Sequence, residues 1–189
     1  MILIILPDVT EESQLLARAR EGDQQAVMTI YETYFSPIYQ FIRLRTGDAL
    51  IAEDLASDVF VKLVVALRGS NAPRQSLRGW LFRVARSEIS DHYGQAKRMP
   101  VQTLDEWLPE EKDSLESDLL RRMDVSRVRQ VLRMLAPEQQ EVVVLRFGQA
   151  LSLQETADVM GKSISAVKSL QFRALDTLRR IIEGEVADE

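Results

Sequence analysis

The segment that decides the fold is residues 151–180, which read LSLQETADVMGKSISAVKSLQFRALDTLRR. Apolar residues recur at three- and four-residue spacing on both sides of Gly161, and this period is typical of amphipathic helices. The pattern predicts a short helix over about 152–160 and a longer one over about 163–182. Gly161 marks the turn between them, because glycine is a common residue at the end of a helix.

Capping residues support both helix starts. Ser152 and Glu155 have the spacing of a capping box, in which each side chain accepts a hydrogen bond from the other residue's backbone N–H. Ser163 can cap the second helix in the same way as Ser152 caps the first. A short helix, a glycine turn and a longer basic helix are the pattern of a helix-turn-helix. An ordinary corner between two helices of a bundle is the alternative interpretation.

The second helix predicts a DNA-reading face. Its outward side combines cations suited to phosphates or guanine, an amide suited to adenine, and small side chains that permit close approach to a major groove. The residues that we assign to this face are Ser163, Ser165, Ala166, Lys168, Ser169, Gln171, Phe172, Arg173 and Arg179.

The rest of the chain also indicates helices, and no segment indicates a strand. Amphipathic periods cover about 11–21, 27–42, 50–67 and 76–96, and helices resume near Leu115. The fold class predicted is therefore all-α, with two small helical domains joined by an acidic flexible linker, the second domain being a helix-turn-helix domain. The boundaries that we predict are 1–98 for the N-terminal domain, 99–114 for the linker, 115–183 for the C-terminal domain and 184–189 for an acidic tail.

Composition excludes several classes of function. The 189 residues include no cysteine, which excludes disulfides, thiolate metal sites and a cysteine nucleophile, and a single histidine excludes a two-histidine zinc motif. With no glycine-rich phosphate loop either, we expect no enzyme, no cofactor and no metal. The apolar start Met1–Leu6 is stopped by Pro7, and no run approaches the ~20 residues needed to span a bilayer. We therefore expect a cytoplasmic protein without membrane insertion.

The net charge of −5 hides an alternation of charged segments. Residues 68–98 carry seven basic and two acidic side chains, and residues 162–180 carry five basic and one acidic. Residues 101–118 carry seven acids against one lysine, and the last seven residues carry four acids. Because phosphate attraction is a local field effect, the two basic segments favour a nucleic-acid partner despite the overall sign. Solvated helix faces with no partner are the alternative.

The sequence resembles the small, two-domain extracytoplasmic-function group of bacterial sigma factors, over about Ser13 to Arg180. The C-terminal motifs resemble that group's −35-reading helix-turn-helix and the segment before it, and the N-terminal motifs resemble the first sigma domain in the same order. The stretches that carry the resemblance are YQFIRLRTGD (39–48), AEDLASDVFVKL (52–63), GWLFRVARS (79–87), LAPEQQEVVVLR (135–146), LSLQETADVMG (151–161) and AVKSLQFRALDTLR (166–179).

The resemblance implies a transcription initiation factor that binds core RNA polymerase and reads a two-part promoter. Its partners would be promoter DNA, the β′ clamp helices and β flap of the polymerase, and an anti-sigma factor. Acidic residues around exposed Val61 and Val65 suit a basic, amphipathic partner helix. The core-binding residues implied are Asp48, Glu53, Asp54, Ser57, Asp58, Val61 and Lys62. The −10-binding residues implied are Asn71, Arg74, Arg83, Arg86, Ser87 and Ser90.

Some positions depart from the group's pattern. Ser87 stands where asparagine is frequent in the −10 helix, and Ser165 and Ala166 replace a common Gly-Thr pair at the start of the recognition helix. These departures affect the bases read rather than the family assignment. Two other functions stay open at this point: a stand-alone helix-turn-helix regulator that binds DNA without polymerase, and a helical adaptor with no DNA role.

Overall fold

The structure, a computed structural model, describes residues 9–69, 72–73, 76–96 and 130–187 of the chain. These residues divide into an N-terminal and a C-terminal helical unit. They contain no strand, and this confirms the all-α fold class. The predicted linker over 99–114 lies outside the described residues.

The described residues of the N-terminal unit form four helices. They are α1 (Val9–Arg20), α2 (Gln24–Thr46), α3 (Ala49–Arg68) and α4 (Leu77–Ala96). The apolar stripes of these helices form a common core, in which the rings of Phe41 and Phe82 meet edge to face with centroids 5.3 Å apart. The largest side chains buried in this core are Ile30, Tyr34, Ile38, Phe41, Ile42, Leu63, Leu77, Leu81 and Phe82.

Local side-chain chemistry sets the ends of these helices. Asp23 precedes α2, and its carboxylate accepts hydrogen bonds from two backbone N–H groups of the first turn, at 2.9 and 3.2 Å. A hydrogen bond from Arg18 and these backbone donors hold the pKa of Asp23 below its ordinary value. Gly47 ends α2 in the left-handed conformation, with φ of 74°, which favours glycine. Asp48 then caps α3 by accepting from the backbone N–H of Ile51 at 3.0 Å.

The C-terminal unit contains the predicted helix-turn-helix. Residues 130–133 are helical, and α5 (Pro137–Val143) continues into a π-helical turn over Val144–Gly148. Helices α6 (Leu153–Met160) and α7 (Ile164–Ala187) follow, and they confirm the two predicted helices. Helix α7 extends five residues beyond its predicted end at residue 182, because a single glycine, Gly184, costs only about 1 kcal/mol inside a helix.

The sequence did not predict the π-helical turn. The backbone N–H of Gln149 donates to the carbonyl of Val144 at 2.9 Å, five residues back, and Ala150 follows with a φ of 52°. Among the described residues, Ala150 alone combines a positive φ with a side chain other than glycine's hydrogen. Positive φ in a residue with a Cβ costs about 1–2 kcal/mol, so the approach to α6 contains local backbone strain.

Replacing Ala150 with glycine is expected to stabilise the protein. Glycine removes the strain but increases the chain entropy of the unfolded state, so the free energy of unfolding should rise by roughly 0.5–1 kcal/mol. Ala150 is exposed, so its methyl group contributes little packing. Denaturant unfolding of the two proteins would measure the difference. Ala150→Val serves as the opposite control, and equal stability of all three proteins would contradict the prediction.

Candidate nucleic-acid interface

The first helix of the helix-turn-helix begins with the predicted capping box. The Ser152 hydroxyl accepts from the backbone N–H of Glu155 at 3.1 Å, and the Glu155 carboxylate accepts from the backbone N–H of Ser152 at 2.7 Å. Gly161 ends α6 with a φ of 63°, and its N–H donates to the carbonyl of Ala157. The sequence prediction of both ends of α6 is therefore confirmed.

The second helix has a buried side and an outward side. Val167, Leu170 and Ala174 are buried at the spacing of one helix face. Ser163 caps the start, since its hydroxyl accepts from the backbone N–H of Ala166 at 3.2 Å. Eight of the nine residues predicted for the DNA-reading face are exposed: Ser163, Ser165, Ala166, Lys168, Ser169, Phe172, Arg173 and Arg179.

Gln171, the ninth residue, lies in a different environment. It is half-buried, and its carbonyl oxygen accepts a hydrogen bond from Nε of Arg146 at 3.1 Å. Arg146 lies in the π-helical turn and also donates to the carbonyl oxygen of Leu151. Bidentate recognition of adenine requires both the carbonyl and the amino group of a glutamine. Because the carbonyl oxygen of Gln171 bonds to Arg146, it is not presented to a base in this arrangement. The hydrogen bond instead connects the π-helical turn to α7.

Sequence reasoning missed Arg146. The residue lies 25 positions before Gln171, and nothing in the local pattern indicates that the two side chains meet. An ion pair also stabilises this unit, between Lys162 in the turn before α7 and Glu138 in α5, at 2.9 Å. These contacts hold α7 against the segment that precedes the helix-turn-helix, so the outward face of α7 has a defined orientation within the unit.

Helix α3 presents an exposed face of mixed character, which we call the α3 face and define by Leu50, Glu53, Asp54, Ser57, Asp58, Val61 and Val65. Val61 and Val65 are 60% and 66% exposed, which confirms their predicted exposure. Leu50 is 74% exposed. The sequence did not predict it as part of this face, although it lies outside the apolar stripe of the helix. Asp48 caps α3 at the edge of this face. Exposed aliphatic residues surrounded by acids form a surface suited to a basic, amphipathic partner.

Lys62 has a partner within its own unit. Its ammonium group donates to the carboxylate of Glu88 on α4, and Glu88 is buried. The hydrogen bond to Glu88 holds the pKa of Lys62 above its ordinary value of 10.5. Lys62 therefore supplies a counter-charge to the buried Glu88 of α4.

The candidate DNA-binding face of α4 contains Arg83, Ser87 and Ser90, which are exposed at the spacing of one helix side. Arg86 lies beside them and is half-buried. The predicted loop residues Asn71 and Arg74 lie outside the described residues. We define the α4 face as Arg83, Arg86, Ser87 and Ser90.

Each of the other three helices makes a polar contact with α4. Glu12 of α1 accepts from backbone N–H groups at the start of α4, and Lys62 of α3 pairs with Glu88 in its middle. Near its other end, the Tyr93 hydroxyl donates to the carbonyl of Arg45 in α2 at 2.9 Å. The orientation of the α4 face is thus defined by contacts along the length of the helix.

The described parts of the chain contain neither a candidate metal site nor a candidate membrane span. Within them, no three histidine, aspartate or glutamate side chains come together in a way that could hold a metal ion. None of the described helices combines the length and the apolar character that crossing a bilayer requires.

Comparison with known proteins decides the family. The sigma-70 region 2 model matches residues 30–99, and the sigma-70 region 4 model matches residues 131–180. The chain is 34% identical over 180 residues to the ECF RNA polymerase sigma factor BldN of Streptomyces coelicolor, covering 94% of this chain and 68% of BldN. The chain belongs to the ECF RNA polymerase sigma factors. Sigma factors of this kind are transcription factors and not enzymes.

Further relatives agree with this assignment of the sigma factor. The chain is 31% identical to the ECF RNA polymerase sigma factor ShbA of Streptomyces griseus, over 93% of this chain and 97% of ShbA. Among solved structures, CnrH in complex with the cytosolic domain of CnrY matches with a TM-score of 0.65 and 24% identity, over 92% of this chain and 97% of CnrH. RpoE of Bartonella quintana, in complex with the anti-sigma factor NepR, matches with a TM-score of 0.62 and 20% identity, over 82% of this chain and 96% of RpoE. These two structures support the fold.

Proposed function

We propose that this sigma factor binds core RNA polymerase through the α3 face and reads a two-part promoter through α7 and α4. The −35 element is assigned to α7 and the −10 element to the α4 face together with the loop before it. The observation that carries the proposal is the outward face of α7, a capped recognition helix whose eight exposed candidate residues are cationic, polar or small, apart from Phe172.

The character of α7 supports reading of a major groove. In a helix-turn-helix, the first turns of the second helix approach the base edges. Ser165 and Ala166 lie in those turns, are exposed and are small enough to permit close approach. Lys168 and Arg173 lie one and two turns further along and supply the cations that contact guanine or phosphate. The Phe172 ring, 74% exposed, suits an apolar contact such as a thymine methyl group.

The character of the α4 face supports capture of a single strand. Two arginines and two serines lie on neighbouring positions of one helix, and both residue types contact a DNA backbone or an unstacked base. Strand opening needs electrostatic attraction for the displaced strand and polar groups for the flipped base. Asn71 and Arg74, in the loop before α4, extend this candidate surface on the basis of their sequence positions.

The α3 face supports docking onto a basic helical partner. Its acids, Glu53, Asp54 and Asp58, surround the exposed aliphatic residues, and an interface of this type has an apolar centre with a charged rim. We assign it to the β′ clamp helices of core polymerase and propose that the C-terminal unit contacts the β flap. Core-bound sigma factor would therefore act in the cytoplasm, with the polymerase supplying all catalytic chemistry.

An anti-sigma factor is a further proposed partner. RpoE, which shares the fold, was solved in complex with the anti-sigma factor NepR. Exposed aliphatic residues grouped on one face mark a site of protein interaction, and a second protein that covers the α3 face would compete with polymerase for it.

The test is run-off transcription with bacterial core RNA polymerase on a library of genomic fragments from the host, with and without this sigma factor. We expect discrete transcripts that depend on the sigma factor and share upstream bases at −35 and −10 spacing. Binding to the same fragments without polymerase, and no transcripts with it, would instead support a stand-alone regulator. No core binding and no salt-dependent DNA affinity would support an adaptor.

A further inference from the structure

A buried and fully hydrogen-bonded acid of the N-terminal unit lies outside the region 2 match. Glu12 is on α1, is 4% exposed, and precedes the matched residues 30–99. Its Oε1 accepts from the backbone N–H of Leu77 at 2.7 Å and from that of Arg78 at 3.3 Å. Its Oε2 accepts from the Tyr34 hydroxyl at 2.9 Å and lies 3.8 Å from Nε of Arg78.

These contacts make Glu12 the cap of a helix that starts 65 residues later in the chain. The first backbone N–H groups of a helix have no partner within the helix. Ser76 accepts from Gly79 through its hydroxyl, at 3.0 Å, but the N–H groups of Leu77 and Arg78 bond to Glu12. A carboxylate is favourable at this end of a helix because of the helix dipole, and a buried charge-assisted hydrogen bond is among the stronger kinds.

The position of this cap relates it to the DNA-binding surface. The first turn of α4 follows the candidate residues Asn71 and Arg74 in the sequence, and it precedes Arg83 of the α4 face by about one further turn. The other contacts with α4, from Lys62 to Glu88 and from Tyr93 to Arg45, lie further along the helix. Glu12 is therefore the contact from α1 that holds the first turn of α4.

We infer that Glu12 is a positioning residue for promoter opening, through its hold on the first turn of α4. This inference rests on the proposed function of α4. Without the carboxylate, the first turn of α4 loses the acceptor for two backbone N–H groups, and the α4 face loses the contact that fixes the start of its helix. Helix α1 then contributes to −10 recognition through Glu12, without being assigned a DNA contact of its own.

The experiment compares Glu12→Ala and Glu12→Gln with wild type in complex with core polymerase. The promoter is one found in the run-off experiment, used as a full duplex and as a template with a pre-melted bubble over the −10 region. The readout is the ratio of transcription rates on the two templates, because loss of folded protein lowers both rates equally. Asp23→Ala is the matched control: it removes a helix cap of α2 in the same unit, away from α4.

We expect the duplex to pre-melted ratio to fall on the order of tenfold in Glu12→Ala, as loss of a charge-assisted hydrogen bond predicts. Glu12→Gln keeps a carbonyl acceptor for Leu77 and Arg78, so it should restore the ratio to within about threefold of wild type. Amide hydrogen exchange at Leu77 and Arg78 should be faster in Glu12→Ala than in Asp23→Ala.

An unchanged ratio in Glu12→Ala, or an effect equal to that of Asp23→Ala, would overturn the inference. Unchanged exchange at Leu77 and Arg78 would overturn the capping role itself. The wild-type protein separates this result from a failure of the proposed function. If wild type does not open the duplex promoter, the function assigned to α4 is what fails.

Discussion

Replacement of Asp54 by arginine should weaken binding of this sigma factor to core RNA polymerase by on the order of 10- to 100-fold, as for lost charge pairs at protein interfaces. Asp54 is exposed on the α3 face between Leu50 and Val61. The substitution replaces an acid with a cation at the centre of a surface that suits a basic partner. Fluorescence anisotropy of labelled sigma factor titrated with core enzyme would measure the affinity.

The control for Asp54→Arg is Glu21→Arg. Glu21 is exposed in the turn after α1 and lies outside the α3 face, so this variant makes the same change in net charge. Thermal unfolding of both variants checks that the fold is retained. Core affinity that is unchanged in Asp54→Arg, or reduced equally in Glu21→Arg, would show that the α3 face is not the polymerase-binding surface.

Replacement of Arg173 by alanine should reduce transcription that depends on the −35 element by roughly 5- to 100-fold, the range expected for loss of one bidentate base contact. Arg173 is exposed on the outward face of α7, and its Nε lies 3.4 Å from the carbonyl of Ser169 in the same helix. Run-off transcription from promoters with the intact and a substituted −35 element would measure the loss. Core binding should not change.

The control for Arg173→Ala is Arg180→Ala, which makes the same substitution about two turns further along α7. Arg180 pairs with Asp176 at 2.9 Å and lies outside the candidate DNA-reading residues. We expect it to leave −35 recognition near the wild-type value. Equal losses of −35 recognition and core binding in Arg173→Ala would contradict its assignment to DNA.

Several features of this protein could be predicted from short stretches of sequence. The capping box of Ser152 and Glu155 was predicted from spacing alone, because both hydrogen bonds join residues three positions apart. Gly47 and Gly161 end helices for a local reason as well, since both adopt positive φ. The outward residues of α7 followed from the helical period. Gln171 lies in a contact that the period does not reveal.

Contacts between helices were beyond the sequence for a physical reason. Periodicity tells which side of a helix is apolar, but the partner of a polar side chain depends on the angle and offset at which two helices pack. Lys62 illustrates this: its position on α3 does not indicate that packing brings it to Glu88, 26 residues away. The π-helical turn and the strained Ala150 likewise have no signal in the local sequence pattern.

By itself, then, the sequence determined the all-α class, the ends of most described helices and the membership in the sigma factor family, because these depend on residues within a few positions of one another or on motifs read in order. Tertiary structure alone decided that Glu12 caps α4, that Arg146 holds Gln171 and that Lys62 neutralises Glu88. Each of these contacts joins residues 25 to 65 positions apart. Such pairs form only after apolar burial has set which helix faces meet.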